Sequence, residues 1–92
     1  MSNLTVALMS LFSQRKPASV NLARGLTLVY RPPDVFAVGR KGVAPGDVEI
    51  RAVIRAARGA GVLLHDSPTR RTLAGPDATW HVAEWRLERI KL

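Results

Sequence analysis

The chain has 92 residues, of which 47% are hydrophobic and 23% charged, so we expect one folded domain with a modest core and not a disordered segment. The lack of cysteine excludes disulfide bridges, thiolate zinc sites and cysteine nucleophiles. The net charge of +7, from eleven arginines and three lysines against seven acids, favours a polyanionic partner and says nothing about the fold.

The most apolar stretch is 4–12, whose leucines and alanine recur at the spacing of one helix face. It predicts a short, buried first helix. Nine residues are too few to span a membrane, which takes about 20 in a helix, and the stretch lacks the flanks of a signal peptide. We therefore expect a cytoplasmic protein with no membrane span. The polar segment 13–19 contains Pro17 and is typical of a connector, so that 1–20 precedes a sheet and helix core at 21–92.

Two segments rich in β-branched and aromatic residues, 25–30 and 34–39, predict a pair of strands. Pro32 and Pro33 cannot donate ladder hydrogen bonds and are therefore expected in the connection between them. The following segment 40–47 is rich in glycine and proline and predicts a loop. Asp47 at its end is suited to cap the next helix.

The segment 48–58 predicts the central helix, with apolar residues on one face and arginines on a neighbouring one. The apolar face consists of Ile50, Val53, Ile54 and Ala57, and the arginines are Arg51, Arg55 and Arg58. Gly59 and Gly61 suit a helix stop, and 62–64 has the composition of a buried strand.

Ser67 followed by Pro68 is typical of a helix start and Gly75 of a helix end, so 67–75 predicts a short helix that carries Arg70 and Arg71. The tail at 78–91 has charges that suit a helix dipole, and also an alternation that suits a strand. We favour the helix and keep the strand as the alternative. At this chain length both tryptophans, Trp80 and Trp85, are expected in the core.

Together these elements predict a single α+β or small α/β domain in the order α-β-β-α-β-α-α, or the same order ending in a strand. A sheet of three to four strands, with 25–30, 34–39 and 62–64 at its centre, is expected to pack against the helix at 48–58.

Chemistry that would indicate an enzyme is scarce. The two histidines, His65 and His81, lie in different elements without a spacing that would bring both to one metal ion. The run from His65 to Ser67 contains the letters of a hydrolase triad, but adjacent residues diverge, and a capping turn explains it better. The segment 39–46 lacks the phosphate-loop pattern. We expect no metal, no cofactor and no catalytic activity.

Basic residues carry the functional prediction. If the predicted helices pack together, seven cations form one positive surface that would contact nucleic acid or an acidic protein. These are Arg40, Lys41, Arg51, Arg55, Arg58, Arg70 and Arg71. An ordinary solvated face is the alternative, and an aromatic content of 5% offers few platforms for base stacking. A homo-oligomer is compatible with the sequence.

Four stretches occur in an order that resembles the cytoplasmic domain of the export-switch proteins of flagellar and type III secretion systems. They are LVY at 28–30, RKG at 40–42, IRAVIRAARGAGVLL at 50–64 and DSPTRRTLA at 66–74. The resemblance covers about 20–74 and implies a strand, a Lys-Gly strand end, an arginine-bearing helix, a further strand and a proline-led helix. That family cleaves itself at an Asn-Pro bond, whereas here Asn21 is followed by Leu22, so self-cleavage does not carry over.

Two other functions are compatible with the sequence. The resemblance implies a protein-interaction module that binds protein clients with little dependence on salt. The small size would also suit an accessory or inhibitor protein of a phage or mobile element.

Overall fold

The computed structural model describes residues 3–89, without the side chains of residues 88 and 89, as two helices, seven strands and one turn of 3-10 helix. In chain order the elements are α1 (Asn3–Ser13), β1 (Ala18–Asn21), the 3-10 turn (Ala23–Gly25), β2 (Thr27–Arg31), β3 (Val35–Lys41), α2 (Asp47–Gly59), β4 (Val62–Leu63), β5 (Thr69–Ala74), β6 (Thr79–Arg86) and β7 (Glu88–Arg89).

Five of the strands form one antiparallel sheet in the order β1-β2-β3-β6-β5. Both helices pack on the same face of this sheet, because the buried residues of α1 and α2 belong to one cluster with those of the strands. The α+β class is confirmed. The expected sheet of three to four strands is corrected to five, and the order of elements also differs.

Alternation along the strands determines which face is buried. Leu28 and Val38 are paired across β2 and β3, and both are fully buried, as is Ala83 opposite Val38 on β6. Their neighbours along each strand point to the other face. The fold therefore has two layers, the sheet and the two helices that cover one of its faces.

Aromatic rings fill the centre of the core. Phe12 of α1 meets Tyr30 and Phe36 edge to face, at centroid distances of 5.5 and 5.3 Å. Phe36 in turn stacks on Trp85 at 5.7 Å, and the indole nitrogen of Trp85 donates a 2.8 Å hydrogen bond to the His65 carbonyl. These contacts join the first helix to the last long strand.

The predicted strand pair at 25–30 and 34–39 is confirmed as the β2–β3 hairpin. Its last cross-strand pair is Arg31 with Val35, and Pro32 and Pro33 lie in the turn between them, as expected, joined by a cis peptide bond. Proline lacks the amide hydrogen that a ladder needs, which keeps these two residues outside the strands.

The segment 62–64 does form a strand, but not one of the central sheet. Val62 is fully buried, while β4 has only two residues and pairs with β7 in a separate two-stranded sheet. The composition of a short apolar run predicts burial but not the partner strand. The partner depends on which distant segment the fold brings alongside, here β7.

The predicted helix at 67–75 is wrong, because the structure has strand β5 there. The preference for a helix in the tail is wrong as well, and the alternative of a strand is correct, since 79–86 is β6. Six residues of β5 pair with β6, and β6 also pairs along seven residues of β3. These ladders outweigh the local helix signals of Ser67 and Pro68.

Three smaller corrections concern element ends and the tryptophans. The connector predicted at 13–19 ends earlier than expected, because β1 begins at Ala18. The residue that caps α2 is Gly46, and Asp47 is already in the first turn. Trp85 is buried as expected, but Trp80 is only half-buried and lies on the sheet face away from the helices.

Within residues 3–89, neither helix is long and apolar enough to cross a membrane.

Leu28 and Leu73 test the assignment of the two sheet faces. Replacing the fully buried Leu28 with alanine should lower the free energy of unfolding by about 2–5 kcal/mol, because it opens a cavity in the core. Leu73→Ala, on a strand of the same sheet but 52% exposed, should change it by less than about 0.5 kcal/mol. Urea denaturation measures both values. Equal losses would contradict the assignment.

Candidate functional site

Arg40 connects the end of β3 to the start of α2. Its guanidinium donates two hydrogen bonds to the Glu49 carboxylate, at 2.7 and 2.8 Å, and two more to the backbone carbonyls of Val43 and Ala44 at 3.1 and 3.0 Å. The Arg40 side chain is only 14% exposed. Since its donors are used within the protein, Arg40 holds the loop and the helix in place and does not belong to a free cationic surface.

Glu49 completes this connection on the helix side. Its carboxylate also accepts a 3.0 Å hydrogen bond from the Gly46 backbone N–H, one of the amides that the start of a helix leaves unpaired. The hydrogen bonds from Arg40, and then the one from Gly46, hold the pKa of Glu49 below its usual value of 4.5. The pair is therefore ionised at neutral pH.

Arg51, Arg55 and Arg58 form what we call the arginine face of α2. Their spacing places them on one flank of the helix, and all three side chains are exposed. Among the residues described by the structure, none of them forms an ion pair or a hydrogen bond with an acid. The buried face of the same helix, with Ile50 and Val53, packs into the core and fixes the direction of this flank.

Two adjoining grooves run along the arginine face, with volumes of about 440 and 250 Å³. Arg51 and Asp66 line both grooves. Arg70 lines the larger one, and its guanidinium lies 3.5 Å from the Asp47 carboxylate, a pair in which both side chains are about half or more exposed. Such an exposed pair is worth little. Arg70 also donates a 3.3 Å hydrogen bond to the Pro45 carbonyl, but its guanidinium is half exposed and has further donors for an anion in the groove.

Arg71 lies on the opposite side of the sheet. Because 69–74 is a strand and not a helix, consecutive residues point to opposite faces, which separates Arg71 from Arg70. Arg71 forms an ion pair with Glu84 at 3.0 Å. Lys41 lies on the same face, with its amine 5.9 Å from the centre of the Trp80 ring.

The seven cations expected at one surface are thus distributed over three places. Four of them, Arg51, Arg55, Arg58 and Arg70, line the grooves beside α2. Arg40 is held inside the fold, and Lys41 and Arg71 lie on the far face of the sheet. That far face was not recognised from the sequence, although the alternation in 79–86 was compatible with it.

In the part of the chain that the structure describes, no three histidine, aspartate or glutamate side chains lie close enough together to hold a metal ion.

Comparisons with known proteins give no relative. No family model matches the chain, and neither a curated protein nor a solved structure shows significant similarity.

The Arg40–Glu49 pair predicts a dependence of stability on pH. Because the pKa of Glu49 is lower in the folded than in the unfolded chain, the pair stabilises the fold fully above about pH 4.5 and loses its effect as pH falls through the folded value. We expect Glu49→Gln to lower the free energy of unfolding by about 1–2 kcal/mol at pH 7, and by much less at pH 3.

Asp34→Asn is the matched control for this measurement. Asp34 pairs with Arg86 at 3.2 Å, but the Arg86 side chain is 72% and the Asp34 side chain 46% exposed, so loss of the pair should cost less than about 0.5 kcal/mol at either pH. Urea denaturation at the two pH values measures both variants. A Glu49→Gln effect that is the same at pH 3 and pH 7 would contradict the role given to the ionised pair.

Proposed function

We propose that the protein is a non-enzymatic binding module that contacts nucleic acid through the arginine face of α2. The observation that carries this proposal is the contrast between the arginines of the chain. Arg40, Arg71 and Arg86 are paired with acids, and Arg70 has an exposed pair with Asp47. In contrast, Arg51, Arg55 and Arg58 have no such partner among the described residues. Three unpaired guanidinium groups thus lie on one rigid flank.

The position of these groups suits a phosphate backbone. The arginine face lies on a helix, so its side chains project from a fixed scaffold and follow one another along its axis. A guanidinium presents a planar fork of donors that matches phosphate oxygens. Arg70 adds a fourth cation, which lines the same groove as Arg51. An array of this kind makes repeated contacts with a regularly charged polymer better than with a single small anion.

The charge balance of the chain supports the same partner. A net charge of +7 attracts a polyanion over about 10 Å at moderate salt. An acidic protein surface would be attracted as well, but it lacks the regular spacing of phosphates. We also propose a cytoplasmic location, with which the lack of cysteine is compatible.

Binding to a duplex DNA of random sequence at several salt concentrations tests the proposal. R51Q/R55Q should weaken binding at low salt and make the slope of log affinity against log salt shallower by about 1.8, because about 0.9 is lost for each phosphate contact. R15Q/K16Q removes the same charge near the end of α1 and should leave the slope nearly unchanged.

Equal effects of the two double variants would show that net charge alone drives binding and would overturn the assignment to α2. Binding that is absent, or unaffected by salt in the unmodified protein, would overturn the proposed function itself. Circular dichroism and urea denaturation should confirm that both variants fold, because all four replaced side chains are exposed or half-buried at the surface.

A further inference from the structure

The five-stranded sheet turns one face away from both helices, and we call this the outer sheet face. The cross-strand register places a group of apolar residues side by side at its centre. They are Val29, Ala37, Gly39, Leu73, Trp80 and Val82, which together with Thr27 line a shallow depression of about 220 Å³. Leu73 is 52% exposed, and within residues 3–89 no element packs over this face.

Trp80 forms one wall of the depression. A Cβ atom at Gly39 would lie 3.4 Å from a methyl group of Val82 and 3.6 Å from the Trp80 ring, so the glycine leaves the space beside the indole open. The amine of Lys41 lies over the ring at 5.9 Å from its centre. An aromatic ring with an exposed cation beside it suits a flat ligand that carries negative charge.

Cations predominate around the depression. Four basic residues and two acids lie there: Arg31, Lys41, Arg71 and Arg86, with Glu84 and Asp34. Arg71 and Arg86 are paired with the two acids at 3.0 and 3.2 Å. Arg31 and Lys41 have no ion pair among the described residues. They lie near opposite ends of β3, about 20 Å apart along the strand direction.

This charge selects among the possible occupants of the face. A second copy of the chain would bring the same excess of cations to the same apolar centre and would be repelled. An acidic peptide would satisfy the cations but makes no particular use of an accessible indole ring. An unpaired nucleobase stacks on such a ring, while its backbone phosphates meet the surrounding cations.

We propose that the outer sheet face binds single-stranded nucleic acid, with a base stacked on Trp80 in the depression beside Gly39 and the phosphates near Lys41 and Arg31. Paired bases in a duplex cannot reach the indole without unstacking, so this face prefers single strands. The site does not rest on the function proposed for α2, because the arginine face lies on the other side of the sheet.

Tryptophan fluorescence provides the test. Titration of the protein with an oligodeoxythymidylate of about ten nucleotides should quench the emission of Trp80, whereas Trp85 is buried and should not respond. Trp80→Ala should weaken binding about 5- to 150-fold, as measured by anisotropy of a labelled oligonucleotide. Trp80→Phe keeps an aromatic ring and should retain most of the affinity. Val43→Ala, an exposed residue in the loop after β3, should bind like the unmodified protein.

Several results would overturn this inference. Unchanged oligonucleotide binding by Trp80→Ala would contradict the stacking site. Binding of a duplex that is as tight as that of the oligonucleotide, and depends on Trp80 to the same extent, would contradict it as well. Sedimentation that shows a dimer lost in Trp80→Ala would assign the face to a second copy. Binding of polyglutamate but not of the oligonucleotide would assign it to an acidic protein.

The two proposals can fail separately. R51Q/R55Q should leave the quenching of Trp80 by the oligonucleotide in place, and Trp80→Ala should leave the salt slope for duplex DNA in place. Loss of the quenching in R51Q/R55Q would mean that the oligonucleotide binds to α2, which would overturn the separate site on the sheet.

Discussion

The hydrogen bonds between Arg40 and Glu49 connect the two layers of the molecule. They join the end of the central strand β3 to the first turn of α2, and the same guanidinium closes the intervening loop through the carbonyls of Val43 and Ala44. The direction of α2 over the sheet depends on this connection at one end and on its buried apolar face along its length. Arg40, which is not part of the arginine face, therefore positions it.

The sheet gives the molecule two surfaces with different chemistry. Because alternate residues of each strand point to opposite sides, one face carries the aromatic core around Phe36 and the other carries Trp80 with its neighbouring cations. The helices cover only the first face. A basic chain of this size thus presents cations both along a helix that carries no aromatic ring and around an accessible indole on which a base can stack.

Local sequence patterns predict the positions of some arginines and not of others. The arginine face of α2 could be predicted, since the helix, its apolar side and its flank all follow from residue spacing within 48–58. The separation of Arg70 from Arg71 could not. Their predicted grouping depended on a helix at 67–75, and the strand found there sends the two side chains to opposite faces of the sheet. The pairing of Arg40 with Glu49 brings together residues from two elements, which no local pattern shows.

By itself the sequence determined the class of fold, the first and central helices, two strand segments with the prolines in their connection, and the positive charge. Each of these follows from periodicity, proline geometry or composition within one segment. Only the tertiary structure decided that 69–74 and 79–86 are strands. The ladder of β6 with β3 and that of β5 with β6 supply hydrogen bonds and packing that local propensity does not register. For the same reason the tertiary structure alone decided which cations share a surface and left Trp80 outside the core.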